Sequence, residues 1–303
     1  MAKSTSSHPS LDISWEDLRL FLGVAEAGSL SAAARVLRVG QPTVSRRLAE
    51  LEDTLGYALF RRHAGGARLT AAGERLLAPA RKMAEWAGEA ARTAAQGQTA
   101  PEGVVRVAAP PGVGFDFVAP FAAWLRGKHP RIRLEVLTGV HHLDLARGDA
   151  DLALRTRAPT SEDLTVVTTL RHENAVVATR EYAARLPRRY GFADVGWVAW
   201  APPYEDVPPN PQLEALIPDF RPTFTADNYL VLLRAVECGL GATVLGQVRH
   251  RFARPTPLVP LALELGPHAR SELHLVCAKS SLDISRVRLV AELLREELER
   301  AST

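Results

Sequence analysis

One stretch near the N-terminus carries side chains that can hydrogen-bond to nucleic-acid bases and phosphates. Residues 41–51 are predicted to form a helix whose inner side is apolar, at Val44, Leu48 and Leu51. The opposite side carries amide, hydroxyl and guanidinium groups, at Gln41, Thr43, Ser45, Arg46 and Arg47. Glutamine pairs bidentately with adenine and arginine with guanine, and the threonine methyl suits that of thymine. The alternative is an ordinary solvated helix face, and the neighbouring segments help to decide between the two.

A sharp turn is predicted to position this helix. An upstream helix with Ser31 as its N-cap continues through Ala34 to Leu37, and Val39 and Gly40 form the turn. The second helix then begins at Gln41–Pro42, because a proline in the first turn loses no backbone hydrogen bond. Two short helices across a tight turn place the second one in a DNA major groove.

The next segment has the pattern of a small β-hairpin, or wing. Apolar residues at 59–60 and 69 flank a Gly65–Gly66 turn, and the hairpin carries Arg61, Arg62 and Arg68. Arginines on such a wing can enter the minor groove or neutralise phosphates. The chain has a net charge of only +3, yet seven arginines fall between residues 35 and 68 against three acidic residues. The positive charge is therefore concentrated where DNA would lie.

Residues 70–95 are rich in alanine and read as one long helix with Thr70 as its N-cap. Its apolar positions recur at alternating spacings of four and three, at Leu76, Ala80, Met83, Ala87, Ala90 and Ala94. This heptad pattern favours pairing with a second helix, with packing on the helix's own domain as the alternative. Pro79 lies within the helix and predicts a kink.

After a Gly- and Pro-containing break at residues 97–103, strands alternate with helices. Strands are predicted at 104–108, 132–137 and 152–154, and a helix at 117–125, with an amphipathic helix at 283–300 closing the chain. The alternation indicates an α/β fold with a largely parallel sheet, in two lobes with a cleft between them.

Ligand sites in such folds lie at the carboxyl ends of strands. The candidates on this rule are Pro110, Pro111, Gly112, Val113, Gly114, Thr138, His141, Arg155, Thr156, Trp200, Asp227 and Asn228. Arg155 is the best anion partner, because a guanidinium pairs bidentately with a carboxylate. The Pro110–Pro111–Gly112 sequence removes hydroxyls and N–H donors, which weakens the prediction of a carboxylate clamp.

A long string of residues near the N-terminus resembles the signature of LysR-type transcription regulators. The matching positions are Phe21, 25–31, 33–34, Leu37, 41–45, 51–52, 55–56, 59–62 and 69–73. Gly40 departs from the family, which usually has serine there, so a phosphate contact from that hydroxyl is absent. Thinner resemblance continues at residues 104–110, 148–155 and 239–242.

The resemblance implies an α plus α/β fold: a winged helix-turn-helix, a long linker helix and a two-lobed domain like a periplasmic binding protein. With a polar leader at 1–12 that is expected to be disordered, the DNA-binding domain would take 13–70, the linker and dimerisation helix 71–96 and an effector-binding domain 103–303. Lobe I would take 103–170 and 268–303, and lobe II 171–267. The expected partners are an interrupted palindrome near a promoter, an unidentified small-molecule effector, a second copy of the chain, a tetramer beyond that, and RNA polymerase.

Two alternative functions have less support in the sequence: a metal-dependent enzyme and a redox-responsive regulator. His141, His142, Asp144, Asp149 and Asp151 cluster in sequence, but a metal-dependent enzyme needs ligands at fixed spacing. No cofactor or enzymatic activity is therefore expected. A redox-responsive regulator using Cys238 and Cys277 is a second alternative, although both cysteines sit in apolar segments. Two cysteines and the absence of a secretory pattern or apolar span favour a reducing cytoplasm and no membrane.

Overall fold

The computed structural model describes residues 13–63, 66–94, 100–139, 145 and 148–301. The chain divides into two compact units, Met1–Thr99 and Ala100–Thr303, called here the N-terminal and C-terminal units. The predicted leader at 1–12 lies outside the described residues.

The described part of the N-terminal unit is helical with one hairpin. Its elements are α1 (Trp15–Ala27), α2 (Leu30–Leu37), α3 (Gln41–Leu55), β1 (Phe60–His63), β2 (Gly66–Leu69) and α4 (Ala71–Ala94). The predicted helix-turn-helix is thus α2 and α3, and the predicted wing is β1 and β2. The Thr70 hydroxyl accepts a hydrogen bond from the backbone N–H of Gly73 at 3.1 Å and caps α4 as expected.

The apolar side of α3 fixes which side of this helix faces solvent. Val44, Leu48 and Leu51 are at most 3% exposed and pack into one cluster with Phe21 of α1. The Phe21 and Phe60 rings are 5.5 Å apart, which joins β1 to the same core. Because the apolar positions of α3 recur at helical spacing, its polar positions are turned outward.

The N-cap of α2 is Ser29, not Ser31. The Ser29 backbone is extended and its side chain accepts a hydrogen bond from the N–H of Ala32 at 3.2 Å. Ser31 lies inside the helix and is exposed. An N-cap requires a non-helical backbone just before the first turn, and Ser29 alone of the two serines has it.

The wing is attached to the turn between α1 and α2 by backbone contact. The N–H of Ala67 donates to the carbonyl of Gly28 at 2.8 Å. A Cβ atom on Gly66 would lie 2.3 Å from that same carbonyl oxygen, and Gly66 also has a φ of +131°. Only glycine fits both conditions without displacing the backbone. The Glu52 carboxylate accepts from the N–H groups of Leu59 and Phe60 at 2.6 and 3.0 Å, which ties β1 to α3.

The C-terminal unit is an α/β domain. Its helices are α5 (Pro111–Val113), α6 (Ala119–Lys128), α7 (Arg180–Ala183), α8 (Asn210–Leu216), α9 (Tyr229–Glu237) and α10 (Ser285–Arg300). Its strands are β3 (Gly103–Ala109), β4 (Ile132–Thr138), β5 (Leu152–Arg155), β6 (Leu164–Thr179), β7 (Val198–Trp200), β8 (Phe224–Ala226), β9 (Thr243–Gln247), β10 (Leu258–Pro260) and β11 (Arg270–Ala278). A π-helical turn at Gly114–Val118 joins α5 to α6, so the predicted 117–125 helix begins earlier, at Pro111.

The main sheet is mixed, which corrects the prediction of a largely parallel one. Its strands follow the order β10–β6–β11–β5–β3–β4, and β9 also pairs with β6. Among the described strands of this sheet, β3 is parallel to β4 and β5, whereas the pairs that involve β6 or β11 are antiparallel. The parallel prediction therefore holds for β3 with β4 and β5 and is wrong for the pairs that involve β6 or β11.

Two large hydrophobic clusters form the cores of the two lobes. The first joins β3, β5, β11, α6 and α10, and the second surrounds Trp197 and Leu213. Val248 and Phe252 pack against the first cluster, although the sequence placed 171–267 wholly in lobe II. The chain therefore crosses back to the first lobe before β10 returns to the second.

We expect Gly66→Ala to destabilise the N-terminal unit by more than Gly56→Ala does. Both positions have a positive φ, which costs an alanine about 1–2 kcal/mol. A Cβ on Gly56 meets no atom of the described residues within 4 Å, whereas one on Gly66 meets the Gly28 carbonyl. Steric displacement there should add about 1–3 kcal/mol. Urea unfolding of the two variants measures the difference, and equal destabilisation would show that the wing does not approach the turn closely.

Candidate functional site

The outer side of α3 is exposed at its N-terminal end. Gln41, Pro42, Thr43 and Arg46 are exposed, and Ser45 is half-buried. The helix begins after Gly40, which provides no side-chain cap, and Pro42 lies in its first turn. The first-turn N–H groups of a helix attract phosphate oxygens, and the side chains beside them are those that reach base edges.

The two arginines of α3 have different surroundings. Within the described part of the chain, Arg46 bonds only along its own helix, to Glu50 at 2.6 Å, and both side chains are more than half exposed. Arg47 turns back to α1, where it bonds Asp17 at 3.2 Å. Burial raises the pKa of Asp17, but hydrogen bonds from Ser14 and then Arg47 outweigh this effect and hold it below the ordinary value. Arg47 therefore braces α3 against α1, and Arg46 is the arginine available to a partner.

The wing places two arginines side by side. In the β1–β2 register Arg61 stands opposite Arg68, and both are exposed. Like charges directly opposite on a hairpin repel each other. A bound phosphate between or beside them removes that repulsion, so the pair is suited to an anionic backbone. Arg62 pairs with Ala67 in the backbone register, but its side chain lies outside the described residues.

The exposed residues of α4 form a stripe around Met83 and Trp86, which is rotated around the helix from the predicted heptad positions. Ala80 is fully buried in the core of the N-terminal unit and is not available to a second helix, whereas Leu76 packs beside it and is half-buried. Met83 and Trp86 are exposed, at 44% and 41%. Ala90 is exposed and Ala87 half-buried, while the side chain of Ala94 lies outside the described residues. Trp86 was missed because the predicted heptad positions ran from Met83 to Ala87 and passed over position 86.

The C-terminal unit contains a cavity of about 940 Å³ between the first hydrophobic cluster and a smaller cluster around Trp200 and Leu232. The carboxyl ends of β3, β4, β5 and β7 contribute to its wall, as the strand-end rule predicts. The predicted residues Pro110, Pro111, Gly112, Val113, Thr138, Arg155, Thr156 and Trp200 line it. Gly114, Asp227 and Asn228 line a smaller adjoining cavity instead, and His141 lies outside the described residues.

Several polar wall residues were not predicted, because most of them come from helices, from the middle of strands and from connecting segments. These are Asp116, His172, Tyr229, Thr243, Gln247, His250 and Arg254. Arg254 lies between two carboxylates, 3.2 Å from Asp116 and 3.2 Å from Glu237, and its guanidinium stands 5.2 Å from the Phe115 ring. This arrangement connects the π-helical turn to the end of α9.

Three titratable groups of the wall are shifted towards their neutral forms. Burial lowers the pKa of His172, and the backbone of Leu170 offsets this only in part. Burial likewise lowers the pKa of His250 against the opposing charge of Asp116. Burial, and then Asp116, raise the pKa of Tyr229 well above its ordinary value. At neutral pH these side chains are therefore polar and uncharged.

The residues of the rival functions are also placed. Cys277 is fully buried in the first cluster, as its apolar segment suggests, but Cys238 is exposed at the end of α9, which corrects the expectation for that residue. His141, His142 and Asp144 lie outside the described residues. Within the described ranges, no group of three or more His, Cys, Asp and Glu residues is placed to hold a metal ion. The helices of those ranges include none that is both long and apolar enough to span a bilayer.

Comparison with protein families gives two matches. Residues 15–74 match the model described as bacterial regulatory helix-turn-helix protein, lysR family. Residues 98–299 match the LysR substrate binding domain. The Mau operon transcriptional activator of Paracoccus denitrificans is 29% identical over 77% of this chain and 79% of its own length. An HTH-type transcriptional regulator of Xanthomonas campestris is 37% identical over 47% of this chain and 41% of its own length.

Solved structures share the fold at low identity. A full-length single-residue variant of OxyR from Pseudomonas aeruginosa has a TM-score of 0.67 and 21% identity, covering 95% of this chain and 98% of that one. Full-length CbnR, solved with its target DNA, has a TM-score of 0.58 and 19% identity, covering 95% and 99%. The helix-turn-helix and the two-lobed domain thus occur in one polypeptide in these proteins. Because the two family models together cover most of the sequence, the chain belongs to the LysR family, as a transcription regulator that joins a DNA-binding domain to an effector-binding domain.

Proposed function

We propose that this LysR-type regulator works as a homodimer that binds an interrupted palindrome near a promoter. In each half-site the N-terminal end of α3 enters the major groove and the wing contacts the flanking backbone or minor groove. The exposure of Gln41, Thr43 and Arg46 on a helix whose inner side is held in the core carries this proposal. CbnR, whose fold this chain shares, was solved with its target DNA.

The dimer would form through the exposed stripe of α4. Met83, Trp86 and Ala90 recur at spacings of three and four, so they lie on one side of the helix. Exposed Trp and Met side chains are enriched in protein interfaces. A two-fold axis between paired α4 helices would relate two α3 helices, as a palindrome requires. We extend the same proposal to the assembly of dimers into tetramers and to contact with RNA polymerase.

The effector would enter the cavity between the two lobes. Its wall draws on the first hydrophobic cluster and on the cluster around Trp200 and Leu232, so a ligand that contacts both stabilises one arrangement of the lobes over others. Such a ligand shifts the DNA-binding equilibrium only by its difference in affinity for the two arrangements. Arg155 and Thr156 at the end of β5 and Thr138 at the end of β4 remain the proposed polar contacts.

Arg46→Ala should weaken binding to the DNA upstream of the gene by about tenfold, because a base contact from arginine contributes about 1–3 kcal/mol. Fluorescence anisotropy with a labelled duplex measures the affinity. Arg19→Ala is the matched control, since Arg19 is an exposed arginine of the same unit that pairs with Glu16. Equal losses in the two variants would contradict a specific role for Arg46. Arg47→Ala should instead lower the melting temperature, because it releases α3 from Asp17.

Arg61→Ala and Arg68→Ala should each reduce the salt dependence of DNA binding. Every phosphate contact contributes about one unit to the slope of log affinity against log salt concentration. Titrations at several salt concentrations give that slope for the wild type and each variant. Arg19→Ala should leave the slope unchanged, and an unchanged slope in both wing variants would show that the hairpin does not touch the backbone.

Introducing a charge on the exposed stripe of α4 should break the dimer. Met83→Glu combined with Trp86→Glu places four like charges in the paired interface, where an unpaired buried charge is strongly unfavourable. Sedimentation equilibrium should show monomers at concentrations where the wild type is dimeric. Arg19→Glu introduces a negative charge on α1 and should remain dimeric. If the double variant were still dimeric, the dimer interface would have to lie outside this side of α4.

A further inference from the structure

The cavity wall is largely apolar between its polar groups. Val136 and Leu137 of β4, Leu170 of β6 and Leu232 and Leu233 of α9 form much of it. A volume of about 940 Å³ is sufficient for a compound with one or two rings. Pockets of this size bind ligands mainly by removing apolar surface from water, and a few polar groups fix the orientation.

The positive charge of Arg254 is already neutralised. Arg254 bonds the carboxylates of Asp116 and Glu237, and Glu237 also pairs with Arg234, so these two arginines and two carboxylates together carry no net charge. Arg155, the other arginine of the wall, has an interaction partner of its own. An anionic ligand that approached Arg254 would have to displace a carboxylate or lie beside one, and either is unfavourable in a partly buried site.

The first helical turn of the cavity does not offer an anion site. Pro110 and Pro111 have no backbone N–H to donate. The next residue, Gly112, is covered by the ring of Tyr229, since a Cβ at position 112 would lie 2.9–3.1 Å from ring atoms. The phenol ring therefore packs directly against Gly112, and a carboxylate at this turn would compete with it for space.

The two histidines of the wall are held neutral by their surroundings. In both His172 and His250 the Nδ1 atom is buried and has no hydrogen-bond partner among the described residues. Protonation would place a charged ring there with one N–H unpaired, which is costly in a dry environment. The His250 ring also packs edge-on against Phe117, at 5.3 Å between centroids. These rings add polarity to the wall without positive charge.

We propose that the cavity binds an uncharged, mostly apolar aromatic compound with a hydroxyl group, of the phenol or naphthol class, and discriminates against aromatic carboxylates. The proposal rests on the proposed function, in which a small molecule occupies this cavity. The neutral hydroxyl would meet uncharged polar wall groups, and the ring would contact the apolar side chains. Asp116 and Glu237 set the charge selectivity because they neutralise Arg254.

The test compares two probes of similar shape and different charge on the full-length chain. Isothermal titration calorimetry at pH 7 with 2-naphthol and with 2-naphthoate should show at least about tenfold tighter binding of 2-naphthol, which corresponds to about 1.4 kcal/mol. In the variant Asp116→Asn with Glu237→Gln, Arg254 loses both carboxylate partners, and 2-naphthoate should bind at least about tenfold tighter than to the wild type.

Glu299→Gln is the control, because Glu299 forms an exposed pair with Arg295 within α10. This variant should keep the wild-type preference. Equal or tighter binding of 2-naphthoate by the wild type would overturn the proposal, as would binding of neither probe or an unchanged preference in the double variant. Anisotropy titrations of upstream DNA with the same preparations test the regulator function separately. A wrong proposal for the ligand class is thereby distinguished from a protein that does not bind DNA.

Discussion

Close backbone contact between the wing and the turn after α1 organises the N-terminal unit. The hydrogen bond from Ala67 to the Gly28 carbonyl, with no room for a side chain at Gly66, fixes the hairpin against the helix-turn-helix. Glu52 fixes the other end of the hairpin to α3. The polar end of α3 and the paired arginines of the wing are therefore presented by one rigid framework. Sequence-specific recognition needs such a framework, because base contacts lose their specificity when their geometry varies.

In the C-terminal unit, the chemistry of the cavity depends on several elements of the fold at once. Its cavity wall combines strand ends with residues of α9 and of 248–254, where the chain crosses back to the first lobe. No single element therefore sets the chemistry of the wall. Arg254 illustrates this, since its two carboxylate partners are Asp116 on the π-helical turn and Glu237 on α9. The charge of the site is a property of the assembled fold, and a count of ionisable residues along the chain does not give it.

Local patterns predicted the elements well and their surroundings less well. The apolar spacing of Val44, Leu48 and Leu51 correctly predicted the buried side of α3, because a helix places residues three and four apart on one side. The same reasoning misplaced the free side of α4, since small residues such as Ala80 fit a buried core as well as a helix pair. Strand direction failed at β6 and β11, where pairing joins residues about a hundred positions apart. The role of Arg47 depended on Asp17, thirty residues away, which no local pattern connects to it.

The strand β6 is a single run of 16 residues, about 50 Å long, that pairs with β11 along one part and with β9 and β10 along another. Both lobes therefore share a continuous ribbon of backbone, interrupted by a bulge opposite Leu275 and Val276. A ribbon of this kind resists bending across its hydrogen bonds and yields most easily by coiling about its long axis, above all at a bulge. A change in the relative orientation of the two lobes would accordingly twist β6 about its long axis rather than bend it like a hinge.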